Sequence, residues 1–207
     1  MKLIRAHVNN FRLLKDLTLD FSCDSTKKLT VIRAANETGK TTIKNALLWG
    51  LFGNRALPNN GSKFPLFPSD LIDSLKKVEV SVEIEFEADR VSSLGRGAHE
   101  IQKERYRLKR SCLEFPTSSK DEVVKREAET TVLFQVTDKG SERINDSLVT
   151  GVIESCIPVA LKDVYVTDGD SAMSFIDEAA TPGVRRMRVS GAIKALLGLE
   201  ILEDTIK

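Results

Sequence analysis

Leu29-Thr30-Val31-Ile32-Arg33-Ala34-Ala35-Asn36-Glu37-Thr38-Gly39-Lys40-Thr41-Thr42 is the stretch that decides how this 207-residue chain reads. Residues 29–32 are short and almost wholly apolar, the pattern of a strand covered on both faces. From Thr42 to Phe52 the pattern changes to helix, with Ile43, Ala46, Leu47 and Leu51 at three- and four-residue spacing on one face. Gly53-Asn54 is a stop signal. Between strand and helix the residues fit the phosphate-loop template G-x-x-x-x-G-K-[ST], with Gly39, Lys40 and Thr41 in place. Backbone N–H groups of 36–41 can wrap a phosphate there, because a helix N-terminus offers unpaired donors and the positive end of a dipole. Lys40 reaches the outer phosphates, and the Thr41 hydroxyl suits Mg²⁺, which takes few protein oxygens alongside phosphate. Two residues depart from the pattern. Ala34 holds the first glycine position, where the backbone angle often suits only glycine. Glu37 brings a carboxylate that repels a polyphosphate unless it faces away. A bare Gly-Lys-Thr is a weak signal; the flanking strand and helix give it the required context.

Upstream, residues 2–8 alternate as a strand, Asn9-Asn10 gives a turn signal, and 17–21 form a second alternating run. The polar stretch 24–28 reads as a hairpin loop. Downstream, Pro58, Pro65 and Pro68 with Asn59-Asn60-Gly61-Ser62 predict a loop. The cleanest pattern is 77–88, where Val78, Val80, Val82, Ile84, Phe86 and Ala88 alternate with Lys77, Ser81 and four glutamates. It predicts a half-buried antiparallel strand with an acidic outer face. A Ser/Gly turn leads to a second strand over about 100–114, a loop over 116–129, and a third strand over 131–137 closed by Asp138-Lys139-Gly140. Asn145 or Asp146 caps a helix running to about Cys156. Residues 164–166 read as a short strand ending in Thr167-Asp168-Gly169-Asp170, and 189–206 as a helix interrupted at Gly198. The helical pattern reaches Lys207 without a stop signal, which points to a longer protein.

Composition excludes several classes. With 31 Lys and Arg against 30 Asp and Glu, the net charge is +1, so any nucleic-acid surface has to be a local patch. The longest apolar stretches, such as 46–52, are too short to span a bilayer, and Met1-Lys2-Leu3-Ile4-Arg5 alternates at once without a leader pattern. Three cysteines without CxxC spacing suit a reducing compartment and offer no metal site, and His7 and His99 stand alone. A cytoplasmic protein with no membrane partner is the expectation.

Two basic features are candidates for DNA contact. Lys103, Arg105, Arg107 and Lys109 fall on one face of the 101–111 strand and could track a phosphate backbone. The acidic face of 77–88 is their natural hairpin partner, so cross-strand pairing is the favoured reading. Arg185, Arg186 and Arg188 form a second cluster near the start of the last helix, where the dipole does not favour cations. These three are the candidate DNA-binding residues.

Three groups of residues together carry a family resemblance. They are Ile4 with Asn9-Asn10-Phe11-Arg12, the loop Asn36 to Thr42, and the run Ala46-Leu47-Leu48-Trp49-Gly50-Leu51-Phe52-Gly53. The chain resembles the N-terminal half of an SMC-like ATPase, the superfamily of the chromosome SMC proteins, RecF and double-strand-break repair ATPases. Val164 to Asp170 and Ile193 to Glu200 are most similar to the DndD ATPases of bacterial DNA phosphorothioate modification. The resemblance implies a phosphate loop and a Q-loop in this half, then a long coiled coil. It also implies a C-terminal half bearing the signature motif, the acid pair that polarises water, and a switch histidine. This chain holds neither Leu-Ser-Gly-Gly nor an apolar strand ending in Asp-Glu. Carried over by position, Asn36, Glu37, Thr38, Gly39, Lys40, Thr41 and Thr42 would cradle phosphate and Arg12 would touch it. Thr41 would bind Mg²⁺, and Asp168, standing where the superfamily has the Q-loop glutamine, would reach the metal or its water.

The expected fold is therefore α/β. It is a P-loop NTPase half-domain of the ABC/SMC-head type, with a mixed and an antiparallel sheet and a C-terminal helix leading to a coiled coil. Residues 1–207 form one head half, with a phosphate-loop lobe over about 1–53, an antiparallel sheet over about 77–137, and a Q-loop-like segment with helices over about 145–207. The expected function is ATP binding, with Mg²⁺, in an ATPase acting on DNA in modification, repair or defence. Hydrolysis would require the C-terminal half and a homodimer of ATP-bridged heads, so this segment alone is expected to be inactive. Other DNA-modification or repair proteins are further expected partners. The alternative is a non-hydrolysing nucleotide-gated interaction module.

Overall fold

The alternation over 77–88 is realised in full: Val78, Val80, Val82, Ile84, Phe86 and Ala88 are all buried, one face of a strand whose other face meets solvent. A computed structural model describes residues 1–26, 29–33, 35, 38–57, 64–74, 76–93, 99–116 and 124–166. Its strands are β1 (Lys2–Phe11), β2 (Leu14–Asp20), β3 (Val78–Ser93), β4 (His99–Pro116), β5 (Val124–Arg126), β6 (Thr130–Thr137) and β7 (Gly140–Arg143). Among the described residues they form one sheet in the order β2-β1-β3-β4-β6-β7, with β5 also paired to β4, and every pairing is antiparallel.

That topology corrects the expected division into a mixed and an antiparallel sheet. The β1–β2 hairpin joins the sheet directly, because β1 pairs with β3 from Lys2↔Glu87 to Asn9↔Ser81. Residues 29–32, expected as a strand, have no strand assignment, and Leu29, Val31 and Ile32 are exposed. Nor does the chain turn at Asn9-Asn10. β1 continues to Phe11, which pairs with Leu14, so the turn is Arg12-Leu13. The expected loop over 116–129 contains β5, and β7 follows the Asp138-Lys139 turn as an unforeseen edge strand.

Helix α1 (Lys40–Phe52) covers the inner face of the sheet. Its buried set is Ala46, Leu48, Trp49, Gly50, Leu51 and Phe52, which differs from the single stripe read from sequence: Ile43 and Leu47 are only half-buried. The cause is close approach to β3. A Cβ on Gly50 would lie 2.7 Å from Val82 Cγ1 and 2.8 Å from Ile84 Cδ1, so this turn of helix lies directly on the strand. Fully buried Trp49 packs on Phe11 with ring centroids 5.8 Å apart. Each such large apolar side chain contributes about 1.5–3 kcal/mol on burial. Gly53 ends α1 at φ 68, as the stop signal predicts.

Helix α2 (Asp146–Cys156) starts where the capping residues place it: the Asn145 carboxamide oxygen accepts from Ser147 N at 3.0 Å. By compactness, Met1–Cys156 forms one unit and Ile157–Lys207 a second. In the second, 164–166 is not a strand. Lys162–Tyr165 is a helical turn, α3, with Val166 N bonded to Lys162 O at 2.8 Å. The Q-loop-like segment after 166, the final helix and the expected coiled-coil root lie outside the described residues. Among the described residues, no helix is long and apolar enough to cross a membrane.

Candidate nucleotide site

Gly39 sets the geometry. Its backbone is left-handed, φ 108 and ψ 14, a conformation that side chains resist, and it leads straight into Lys40 at the head of α1. The first helical bond runs from Ile43 N to Gly39 O at 2.8 Å, so the N–H groups of Lys40, Thr41 and Thr42 precede it. No side chain caps this end, and no acid occupies the first turn. The helix N-terminus thus presents backbone donors and dipole with no acid in its own first turn. Lys40 and Thr41 are exposed there and Thr42 is half-buried. The Lys40 ammonium bonds the Ala35 carbonyl at 2.6 Å, and the Thr38 hydroxyl donates to the same oxygen at 2.7 Å. One neutral carbonyl therefore gathers donors that an anionic phosphate would bind more strongly.

The Arg12-Leu13 turn lies against this loop. A Cβ on Gly39 would stand 3.6 Å from Leu14 Cδ2 and 4.0 Å from Leu13 Cβ. Arg12 is itself left-handed at φ 52, donates its N–H to Leu66 O at 2.6 Å, and stacks its guanidinium 4.5 Å from the Phe64 ring centroid. The fold therefore packs the end of the Arg12-Leu13 turn against Gly39, next to Thr38, Lys40, Thr41 and Thr42, while the Arg12 guanidinium itself rests on Phe64. Ala34, Asn36 and Glu37, the candidate metal ligand Asp168, and the candidate DNA-binding residues Arg185, Arg186 and Arg188 lie outside the described residues. Thr41 supplies the hydroxyl a divalent cation would need, and among the described residues no group of His, Cys, Asp and Glu could hold a metal ion without phosphate.

The cations of β4 face their expected partners. Lys103, Arg105, Arg107 and Lys109 lie opposite Asp89, Glu87, Glu85 and Glu83, and Arg105 bonds Glu85 diagonally at 2.6 Å. This register is the one that cross-strand pairing requires, and Arg105–Glu85 realises it.

The inner face of β4 carries charges that the sequence reading passed over. Arg110 donates to Gly50 O, Leu51 O and, at 2.9 Å, the Glu129 carboxylate, tying the end of α1 to the sheet. Burial pulls the Arg110 pKa down while Glu129 opposes the shift. Glu114, with no exposed surface, accepts from Leu66 N and Phe67 N at 2.9 Å each and from Arg126 Nε at 2.6 Å. Parity was the available signal for two of these residues, since Arg110 and Glu114 are in phase with buried Tyr106, Leu108 and Cys112. Glu129 and Arg126 fall in the stretch expected to be loop. A cavity of about 360 Å³ opens beside Arg55, Arg110, Glu129, Asp146 and Thr150. Its charges are paired with protein groups: Arg110 with Glu129, Arg55 with Glu154, and Asp146 with Arg143.

With the phosphate loop and its bare helix end described, the comparisons define the class. The AAA domain family profile matches residues 5–155, and the chain belongs to that family. The fold is similar to a solved chain from work on ATP-driven dimerization and DNA-stimulated activation of SMC ATPases. The two superpose with a TM-score of 0.52 at 19% identity, covering 92% of this chain and 99% of that one. No curated protein matches the sequence. The family shown is thus the AAA domain family, and the likeness to the SMC ATPase chain is one of fold.

Proposed function

We propose that this chain is the ATP-binding N-terminal half of an SMC-like ATPase that acts on DNA, with DndD-type ATPases as its nearest functional model. The observation that carries the reading is left-handed Gly39 feeding a helix whose first turn holds no acid, with exposed Lys40 and Thr41 at its head and Arg12 on the adjoining turn. In this reading the N–H groups from Gly39 to Thr42 hold the β-phosphate, Lys40 neutralises the outer phosphates, and Arg12 reaches the terminal one. The Thr41 hydroxyl, with Asp168, would hold Mg²⁺, which when bound draws charge off the phosphate oxygens.

Hydrolysis belongs to the assembled protein. No acid pair that polarises water is encoded here, so turnover requires the C-terminal half and a second head closing over the triphosphate. Exposed Leu29, Val31 and Ile32, with no strand pairing over 29–33 among the described residues, support a partner segment that completes the sheet at this point. The DNA-stimulated activation of the fold relative supports DNA as the polymer served, with Arg185, Arg186 and Arg188 as contacts.

Lys40→Ala tests the site directly. The wild-type chain should gain thermal stability with ATP and Mg²⁺, roughly 2.7 kcal/mol at a hundredfold excess over Kd, and the variant should gain none. An unchanged shift in the variant would refute the site. Binding without turnover when the C-terminal half is supplied would favour a nucleotide-gated interaction module.

A further inference from the structure

We infer that the buried Glu114–Arg126 pair is the positioning device that fixes Arg12 at the mouth of the phosphate loop. The inference rests on the nucleotide-site reading above and adds to it residues on the far end of the antiparallel sheet.

The connection is continuous. Glu114 Oε2 grips Leu66 N and Phe67 N, each at 2.9 Å, and the carbonyl of that same Leu66 accepts the Arg12 N–H at 2.6 Å. Residue 66 is thus held from both sides, by a carboxylate on β4 and by the turn beside Gly39. Arg126 on β5 secures the same segment. Its Nε donates to Glu114 Oε1 at 2.6 Å, and its two terminal nitrogens donate to Asn54 Oδ1 and Phe64 O at 2.7 Å each. Phe64, whose carbonyl is so fixed, is the ring on which the Arg12 guanidinium rests. On its other side the turn closes the chain of contacts, with Leu13 and Leu14 against Gly39.

Such an arrangement has a physical reason. Arg12 holds φ 52 without being glycine, and a strained backbone of that kind persists only where the surroundings over-determine it. The hydrogen bond to Leu66 O is the local constraint, and Leu66 is fixed by a carboxylate with no exposed surface. Leu66 and Phe67 are themselves buried, so the enclosed carboxylate meets backbone N–H groups that water does not reach and holds the Leu66 carbonyl in one place. What that carbonyl fixes is the backbone of Arg12, on the turn whose next two residues pack against Gly39. The chemistry concerned is the terminal phosphate of a nucleoside triphosphate, since Lys40 and the helix N–H groups serve the inner ones.

The test compares ATP and ADP affinities, with Mg²⁺, for wild type, Lys40→Ala, Arg12→Ala, Glu114→Gln, Arg126→Lys and the two combinations with Arg12→Ala, using the full chain with its C-terminal half supplied. Amide hydrogen exchange at Arg12 is read without nucleotide. Arg12→Ala should narrow the preference for ATP over ADP about tenfold, the worth of one charge-assisted bond. Glu114→Gln and Arg126→Lys should narrow it in the same direction, speed exchange at the Arg12 amide, and add nothing in the Arg12→Ala background. Arg126→Lys carries the test if Glu114→Gln does not fold. A purely structural role would lower the melting temperature and leave the ATP-to-ADP ratio untouched. That result, or additivity with Arg12→Ala, overturns the proposal while ATP binding and its loss in Lys40→Ala stand. If wild type and Lys40→Ala bind ATP alike, the site itself is wrong and the proposal falls with it.

Discussion

Strand β4 carries charge on both of its faces, and the two faces use it differently. Outward, Arg105, Arg107 and Lys109 meet a row of glutamates on β3 at the surface; the Arg105–Glu85 pair is 47% and 20% exposed. Inward, Arg110 and Glu114 replace what alternation would make apolar, and Glu114 is fully enclosed. Water screens the first set, so each pair stabilises by about 0–1 kcal/mol. The second set has been taken out of water and keeps its charge only because each acceptor and donor is met. Among the described residues no buried side-chain nitrogen or oxygen lacks a partner. The outer ladder places opposite charges across the β3–β4 register. The inner pairs decide where the chain after α1 runs.

The sharpest way to break the inner arrangement is Glu114→Ala. It leaves Arg126 without its buried counter-charge and the N–H groups of Leu66 and Phe67 without an acceptor. Removing one member of a buried pair costs about 3–5 kcal/mol, which denaturant unfolding would read as a large drop in midpoint at constant slope. A loss below about 1 kcal/mol would mean that the inner pair behaves like a surface one.

Gly53→Ala probes the other inner pair without deleting a charge. Gly53 sits at φ 68 and ψ −155, a region open essentially to glycine alone. A Cβ there would lie 2.6 Å from Glu129 Oε2 and 2.9 Å from an Arg110 terminal nitrogen. Strain and displacement of the pair together should cost about 1–3 kcal/mol, measured by thermal unfolding. Because Trp49 Nε1 donates to Glu129 Oε1 at 3.2 Å, its fluorescence should shift as that carboxylate moves.

How far the sequence carried this picture follows from the same contrast. Period-two alternation made β3 and the outer ladder legible, since exposed charges opposite one another need only parity and a hairpin. The stop at Gly53 was legible because glycine carries backbone information locally, and the helix start lies at Lys40, two residues ahead of the Thr42 read from the pattern. The inner pairs were not, because Arg126 and Glu129 come from a stretch whose polarity reads as loop. Their partners lie 12 and 19 residues away along the chain, with the segment they hold farther still. The strand expected over 29–32 failed for a related reason. Its apolar residues describe a strand covered on both faces, but covering requires neighbours, and Leu29 and Val31 remain 77% and 76% exposed. The turn that carries Arg12 falls three residues later than the Asn9-Asn10 signal suggests. The register from Asn9↔Asp16 to Phe11↔Leu14 carries Asn10 inside the strand at φ 52.

The smallest expected effect tests the outer face. Arg105→Ala removes the 2.6 Å bond to Glu85 and one rung opposite Glu87, leaving both acids in contact with water. Solvated acids need no replacement partner, so the loss should stay within about 0–1 kcal/mol. It should also shrink further in 1 M salt, where the screening length falls to roughly 3 Å. The measurement is a pair of denaturant curves for wild type and variant at low and high salt. A loss of several kcal/mol that salt leaves unchanged would mean that Arg105 acts as Arg110 does. The two faces of β4 would then no longer divide into a screened ladder and a buried clasp.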